Sequence, residues 1–214
     1  MIPAFQAAAT ISGVVARTRK TIPAADVVIV NDGSTDGAAA YDLPGTTLIR
    51  HERNLGKGAA LRTGIREAIR QKAEVIVTVD ADGQHPPEEI PRLVRVIANS
   101  RADLVLGARS RSGAMPMSRR LTNWLSATLA TRIGRQQVPD AQTGFRAFTR
   151  DVAERVQPAG DRYEYEANFL LDALRRGCRV SSVEVPTIYG VPSHFRPWSD
   201  TWRMARAFGR RLIK

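Results

Sequence analysis

The run Val75-Ile76-Val77-Thr78-Val79-Asp80-Ala81-Asp82-Gly83-Gln84-His85-Pro86 decides the fold and points to the chemistry. An apolar run of strand length that ends in Asp-x-Asp and a turn presents two hard oxygen ligands at the carboxyl edge of a sheet. Open α/β folds bind their ligands at that edge. Two carboxylates so placed suit a divalent cation bridging a diphosphate. Asp and Gly are also ordinary loop residues after any strand, so the pair gains its weight from its neighbours.

Upstream, Val27-Val28-Ile29-Val30 is a continuous apolar run that stops at the turn cluster Asn31-Asp32-Gly33-Ser34. Thr47-Leu48-Ile49-Arg50 is a shorter candidate strand, followed by Asn54-Leu55-Gly56-Lys57-Gly58. From Ala59 to Ala73 the residues Leu61, Ile65, Ala68 and Ile69 recur on one helical face. Downstream, a helix begins near Pro87-Glu88-Glu89 and carries Ile90, Leu93, Val94 and Ile97. Proline at its start and acids in its first turn fit the N1 preference and the helix dipole. The strand Asp103-Leu104-Val105-Leu106-Gly107 then ends at Ala108-Arg109. Strands alternating with helices predict parallel βαβ units with right-handed crossovers, hence a nucleotide-binding α/β sheet.

The 214 residues suit one α/β domain with a sizeable core. Hydrophobic content of 43% and charged content of 25% are those of a globular protein, without internal repeats or low-complexity segments. A single cysteine, Cys178, precludes an intramolecular disulfide and fits the cytoplasm. The first residues lack a basic leader followed by an apolar core, and no apolar run reaches membrane-spanning length. A net charge of +11 calls for an anionic partner. Nucleic acid is disfavoured, because interleaved aromatics and recognition motifs are missing.

Five ordered motifs carry a resemblance. Ile2-Pro3-Ala4-Phe5-Gln6, Val28-Ile29-Val30-Asn31-Asp32-Gly33-Ser34-Thr35-Asp36, Asn54-Leu55-Gly56-Lys57-Gly58, Val79-Asp80-Ala81-Asp82-Gly83-Gln84 and Gln142-Thr143-Gly144-Phe145-Arg146 together resemble family 2 glycosyltransferases. The nearest likeness is to the polyprenyl-phosphate (dolichyl-phosphate) mannosyl- and glucosyltransferase branch, to which Ser193-His194-Phe195-Arg196-Pro197 is also similar. The resemblance implies a GT-A fold, α/β and Rossmann-like, with three layers and a mostly parallel central sheet. It further implies inverting transfer of a hexose from a GDP- or UDP-sugar to a polyprenyl phosphate, with Mg²⁺ or Mn²⁺ as cofactor.

By that resemblance, Pro3, Phe5, Asp32, Lys57, Asp80, Ala81 and Gln84 line the nucleotide sugar, and Asp82 with Gln84 holds the metal. Asp32 contacts base or ribose on this view; the alternative is an Asx residue closing the turn before Gly33. The glycine-rich start of the helix at Lys57 offers backbone donors to phosphate, or simply packs a tight turn. Arg109, Arg119 and Arg196 are matched to anion-binding arginines beside the reacting phosphates, with Arg120 as good as Arg119 by spacing. Glu166 lies where relatives with hydroxyl acceptors carry a base; a phosphate acceptor is already anionic and requires none. Where relatives read Pro-Ala-Tyr-Asn-Glu, this chain reads Pro3-Ala4-Phe5-Gln6-Ala7, which leaves the choice between GDP and UDP open.

From Trp198 to Lys214, helical spacing gathers Trp198, Trp202, Ala205, Phe208, Leu212 and Ile213 opposite Arg203, Arg206, Arg210 and Arg211. This divides the chain into a catalytic domain, 1–197, and a basic amphipathic helix, 198–214. Such a helix fits the headgroup plane of an anionic membrane, making the enzyme peripheral on the inner face of the cell membrane. The stretch from Leu121 to Ile133 has a similar stripe. Two further readings compete: transfer to a hydroxyl acceptor on a lipid or secondary metabolite, and a nucleotidyltransferase. The latter lacks its glycine-rich loop with Arg and Lys near the amino terminus.

Overall fold

The computed structural model describes residues 1–99, 101–109, 126–128 and 130–186. Arg119, Arg120, Arg196 and the 198–214 helix therefore lie outside the described residues, as does part of the 121–133 stripe. The strands are β1 (Ile2–Ala4), β2 (Val28–Asn31), β3 (Thr47–Arg50), β4 (Val75–Thr78), β5 (Leu104–Arg109), β6 (Arg146–Thr149) and β7 (Val180–Val185). The helices are α1 (Ile11–Thr21), α2 (Lys57–Arg70), α3 (Ile90–Ala98), helical residues 126–128 and 130–134 (α4), α5 (Arg150–Arg155) and α6 (Glu164–Arg175).

One ladder runs β1-β2-β3, all parallel, and a second runs β4-β6-β5-β7. Met1 joins them: its amino group donates to Val77 O at 2.6 Å, and Val79 N donates to Met1 O at 3.2 Å. The spatial order across the joint is thus β3-β2-β1-β4-β6-β5-β7. One strand departs from the parallel pattern, because β6 runs antiparallel to both β4 and β5. Its four residues lie within the Gln142–Arg146 motif and just after it, too short a segment for periodicity to reveal.

Alternation along the strands builds the layers. Ile76, Leu104, Leu106 and Phe148 pack on one face with Leu61 and Ile65 of α2, Val152 of α5 and Leu170 of α6. Val105, Ala147 and Ile29 face the other way, against Ile11 and Val14 of α1 and Ile90 and Leu93 of α3. Helices therefore cover both faces, the three-layer arrangement expected. The helix expected from residue 59 begins at Lys57, and the one near Pro87 opens as a single 3₁₀ turn, Pro87–Glu89, before α3. Thr149 closes β6 and caps α5, its hydroxyl accepting from Val152 N. No helix among the described residues is long and apolar enough to cross a membrane.

Candidate active site

All the parallel strands end at one edge of the sheet, and the antiparallel β6 begins there. That reversal brings residues 140–146 beside Asp80. The Thr78 hydroxyl donates to Gly144 O at 2.7 Å, which holds the glycine against the end of β4. A Cβ on Gly144 would lie 2.6 Å from Asp80 Oδ2 and 2.9 Å from both Glu166 Oε1 and Lys57 Nζ. Only glycine leaves room for three charged groups to meet.

These three form a partly buried ionic cluster. Lys57 Nζ lies 2.7 Å from Asp80 Oδ1 and 3.2 Å from Glu166 Oε1, and 5.6 Å from the centroid of the Tyr163 ring. Burial opposes charge on all three groups. For Lys57 the two carboxylates overcome it and hold the ammonium protonated above the ordinary lysine value. The carboxylates part company. Burial would raise Asp80, but its shorter contact with Lys57 holds it below the usual aspartate value. Burial prevails at Glu166 and keeps it above the usual glutamate value. Behind the cluster the buried Arg146 donates to the carbonyls of Thr143 (2.8 Å), Glu166 (2.7 Å) and Ala141 (3.3 Å), tying the glycine loop to the start of α6.

Asp82 sits two residues beyond Asp80 in sequence. Its Oδ1 accepts from Gln84 N at 3.0 Å, and burial followed by the charge of Asp80 pushes its proton affinity up. Two carboxylates repelling in this way are relieved by a cation. Among the described residues no three His, Cys, Asp or Glu side chains gather as a metal cage. A site supplied by Asp82 and its neighbours fits Mg²⁺ or Mn²⁺, hard cations that keep waters and take substrate phosphate oxygens. Ala81 is itself buried, its carbonyl accepting from the Thr10 hydroxyl at 2.7 Å. His85, 5% exposed, stacks on Phe145 with ring centroids 5.5 Å apart, and burial lowers its basicity.

Asp32 turns out to be occupied by the fold itself. It is 2% exposed, and it accepts from Gly56 N (2.8 Å) and Leu55 N (3.0 Å) and pairs with the His51 ring (2.6 Å). These contacts give Asp32 a role within the turn, and a contact with base or ribose would have to share the carboxylate with them. Gly33, at φ +68°, permits that turn to pass so close to Arg53 that no Cβ would fit. Pro3 is buried in β1, whereas Phe5 is 37% exposed just beyond it. Gln6 turns onto the neighbouring loop, its amide exchanging hydrogen bonds with Thr35 at 3.0 Å.

Arg109 is likewise engaged. Its guanidinium donates to both oxygens of the buried Asp140, at 2.8 and 3.1 Å, and Asp140 is held below the ordinary aspartate range by those bonds against the effect of burial. The structure thus gathers Lys57, Asp80 and Glu166, sets Asp82 and Gln84 beside them, and ties Arg109 to Asp140. Sequence reasoning assigned nothing to Gly144, Arg146, Asp140, His85 or His51. Four of these lie in or beside quoted motifs, and their roles depend on which strands become neighbours.

Comparison with known proteins bears on the family and the fold. Residues 1–157 match the model of Glycosyl transferase family 2. The UDP-N-acetylglucosamine–dolichyl-phosphate N-acetylglucosaminyltransferase of Methanococcus voltae is 32% identical over 147 residues, 66% of this chain and 59% of that protein. The undecaprenyl-phosphate mannosyltransferase of Micrococcus luteus is 28% identical over 204 residues, 88% of this chain and 82% of that one. Among solved structures, glucosyl-3-phosphoglycerate synthase from Mycobacterium tuberculosis, in complex with Mn²⁺, UDP-glucose and phosphoglyceric acid, superposes with a TM-score of 0.80. It is 20% identical, with 99% of this chain and 78% of that chain covered. With the motif residues assembled at one sheet edge and the family model matched across them, the chain belongs to glycosyl transferase family 2.

Proposed function

We propose that this glycosyltransferase moves a hexose, with inversion, from a nucleoside diphosphate sugar to a polyprenyl phosphate at an anionic membrane surface. The observation that carries the reading is the Lys57 ammonium shared between Asp80 of the Asp-x-Asp turn and Glu166 of α6. Asp80 and Lys57 lie where a sugar diphosphate meets the sheet edge, and Lys57 supplies fixed positive charge there in a partly desolvated setting. Asp82, with Gln84 beside it, would hold Mg²⁺ or Mn²⁺, which would supply Lewis-acid neutralisation of the leaving diphosphate. Glu166, committed to Lys57, is poorly suited to removing a proton, and a phosphate nucleophile asks for none. Names of relatives support the lipid phosphate as acceptor. The exposed Phe5 offers a face for the base, and Ala7 in place of the motif's carboxylate accords with UDP or GDP alike.

A second reading rests on the raised proton affinity of Glu166, which suits a base for a hydroxyl acceptor. Both readings meet one assay: release of nucleoside diphosphate from GDP-mannose, UDP-glucose and UDP-N-acetylglucosamine, with and without polyprenyl phosphate, with Mg²⁺, Mn²⁺ or chelator. Release should be stimulated by the lipid phosphate and stopped by the chelator. Pyrophosphate released from a nucleoside triphosphate and a sugar 1-phosphate, with no diphosphate released from the nucleotide sugars, would show a nucleotidyltransferase instead, and indifference to the lipid would direct attention to hydroxyl acceptors.

A further inference from the structure

We propose that His51 and Asp32 are positioning residues that set Lys57 between Asp80 and Glu166. The inference rests on the reading of that cluster as the reacting edge, and it starts from a chain of polar contacts joining three elements. His51 follows β3; its Nδ1 lies 2.6 Å from Asp32 Oδ1 at the end of β2, and its Nε2 lies 3.1 Å from the Thr63 hydroxyl on α2. An ionised carboxylate only accepts, so Nδ1 carries the proton toward Asp32. Both ring nitrogens are thereby spent on the protein, and the ring spans from strand to helix.

Asp32 completes the lock. The same Oδ1 accepts from Leu55 N, and Oδ2 accepts from Gly56 N, the residue immediately before Lys57. Gly56 itself, at φ +103°, passes so close to Asp161 O that a Cβ there would clash. The start of α2 is thus gripped from β2 on one side and from the 161–162 segment on the other. The Lys57 side chain leaves from this first turn and must reach two carboxylates on two further elements. A shift of about 1 Å at its origin would break one contact, and displacements of that size cost catalysis heavily. The His51 ring bonds to Asp32 and Thr63 rather than to Asp80 or Glu166, so its influence on the cluster runs through the backbone it secures.

The test reads Lys57 directly and requires no substrate. Reductive methylation with formaldehyde and a borane reductant, followed by mass spectrometry, reports the reactivity of each lysine amine. Lys20 and Lys72 are exposed and serve as internal standards. In the unaltered protein Lys57 should react at least about tenfold more slowly than either, the factor that corresponds to one unit of pKa. In His51→Leu the Lys57 rate should rise toward the standards while their own ratio stays constant, and His51→Asn, whose amide can still donate to Asp32, should restore protection. If His51→Leu does not fold, Thr63→Val is read by the same criterion, since it removes only the far contact. A folded variant in which Lys57 stays as protected as before overturns the proposal. Failure of the whole protein to use any nucleotide sugar would instead overturn the glycosyl-transfer reading, leaving the labelling result intact.

Discussion

At Gly144 a single methyl group would intrude on three charged atoms at once, which makes this glycine the sharpest test of the cluster. Gly144→Ala should cost about 1–3 kcal/mol of stability by overpacking, measured by urea unfolding. It should also lower turnover by about 10², because Asp80 or Lys57 must give way. Asp82→Asn tests a different atom. The amide is a poorer ligand for a hard cation, so transfer should vanish while the melting temperature does not fall. Near-normal turnover would remove Asp82 from the metal site. The proton on Asp82 provides a further measurement. Because its affinity for the proton is raised, this group costs stability above its folded pKa, and the cost disappears as pH falls. Cation binding should expel that proton, so calorimetry in buffers of differing ionisation enthalpy should detect proton release at pH values above the ordinary aspartate pKa of about 3.9. Asp82→Asn should abolish the release.

At the scale of elements, the Arg109–Asp140 pair ties the end of β5 to the segment that leads into β6. Removing one partner of a buried pair leaves an uncompensated charge, so Asp140→Ala should lose about 3–5 kcal/mol in equilibrium unfolding. Its pKa is depressed in the fold. The stability it contributes is therefore present above the unfolded-state value and is lost as pH falls through the folded one, and Asp140→Ala should flatten that part of the acid-unfolding curve. A variant as stable as the parent would mean that the pair is dispensable. Strands β2 to β5 and helices α2 and α3 were legible as sequence, because their apolar residues form short continuous runs or recur along one helical stripe. β6 was not: Arg146-Ala147-Phe148-Thr149 opens with a charge, and Arg146 is buried only because three carbonyls surround it.

For the molecule as a whole, the acceptor and the membrane are the open matters. Glu166→Gln should keep substantial turnover on polyprenyl phosphate, since no proton has to be removed. A loss of several orders of magnitude would identify Glu166 as a base and the acceptor as a hydroxyl. The 198–214 segment offers a separate prediction. Each of its four arginines beside an anionic surface is worth about 1 kcal/mol, so truncation after Pro197 should weaken co-sedimentation with anionic liposomes at low salt and leave nucleotide-sugar binding largely intact. An unfolded truncate, or an intact protein indifferent to such vesicles, would assign the stripe to the core or to a protein partner.

Sequence by itself determined the three-layer α/β class, the strand that ends in Asp80 and Asp82, and the family, because these are written in local periodicity and in motifs of adjacent residues. Only the tertiary structure decided what those residues meet. Lys57, Asp80, Gly144 and Glu166 come from four separate stretches of chain, and they converge because β6 reverses direction between β4 and β5. Asp32 reads the same in sequence whether or not its own loop engages it; its bonds with His51, Leu55 and Gly56 show that the loop does. The physical reason is common to both cases. A hydrogen bond or an ion pair is settled by distances of a few ångströms in space, and separation along the chain carries no information about them until the strands have paired.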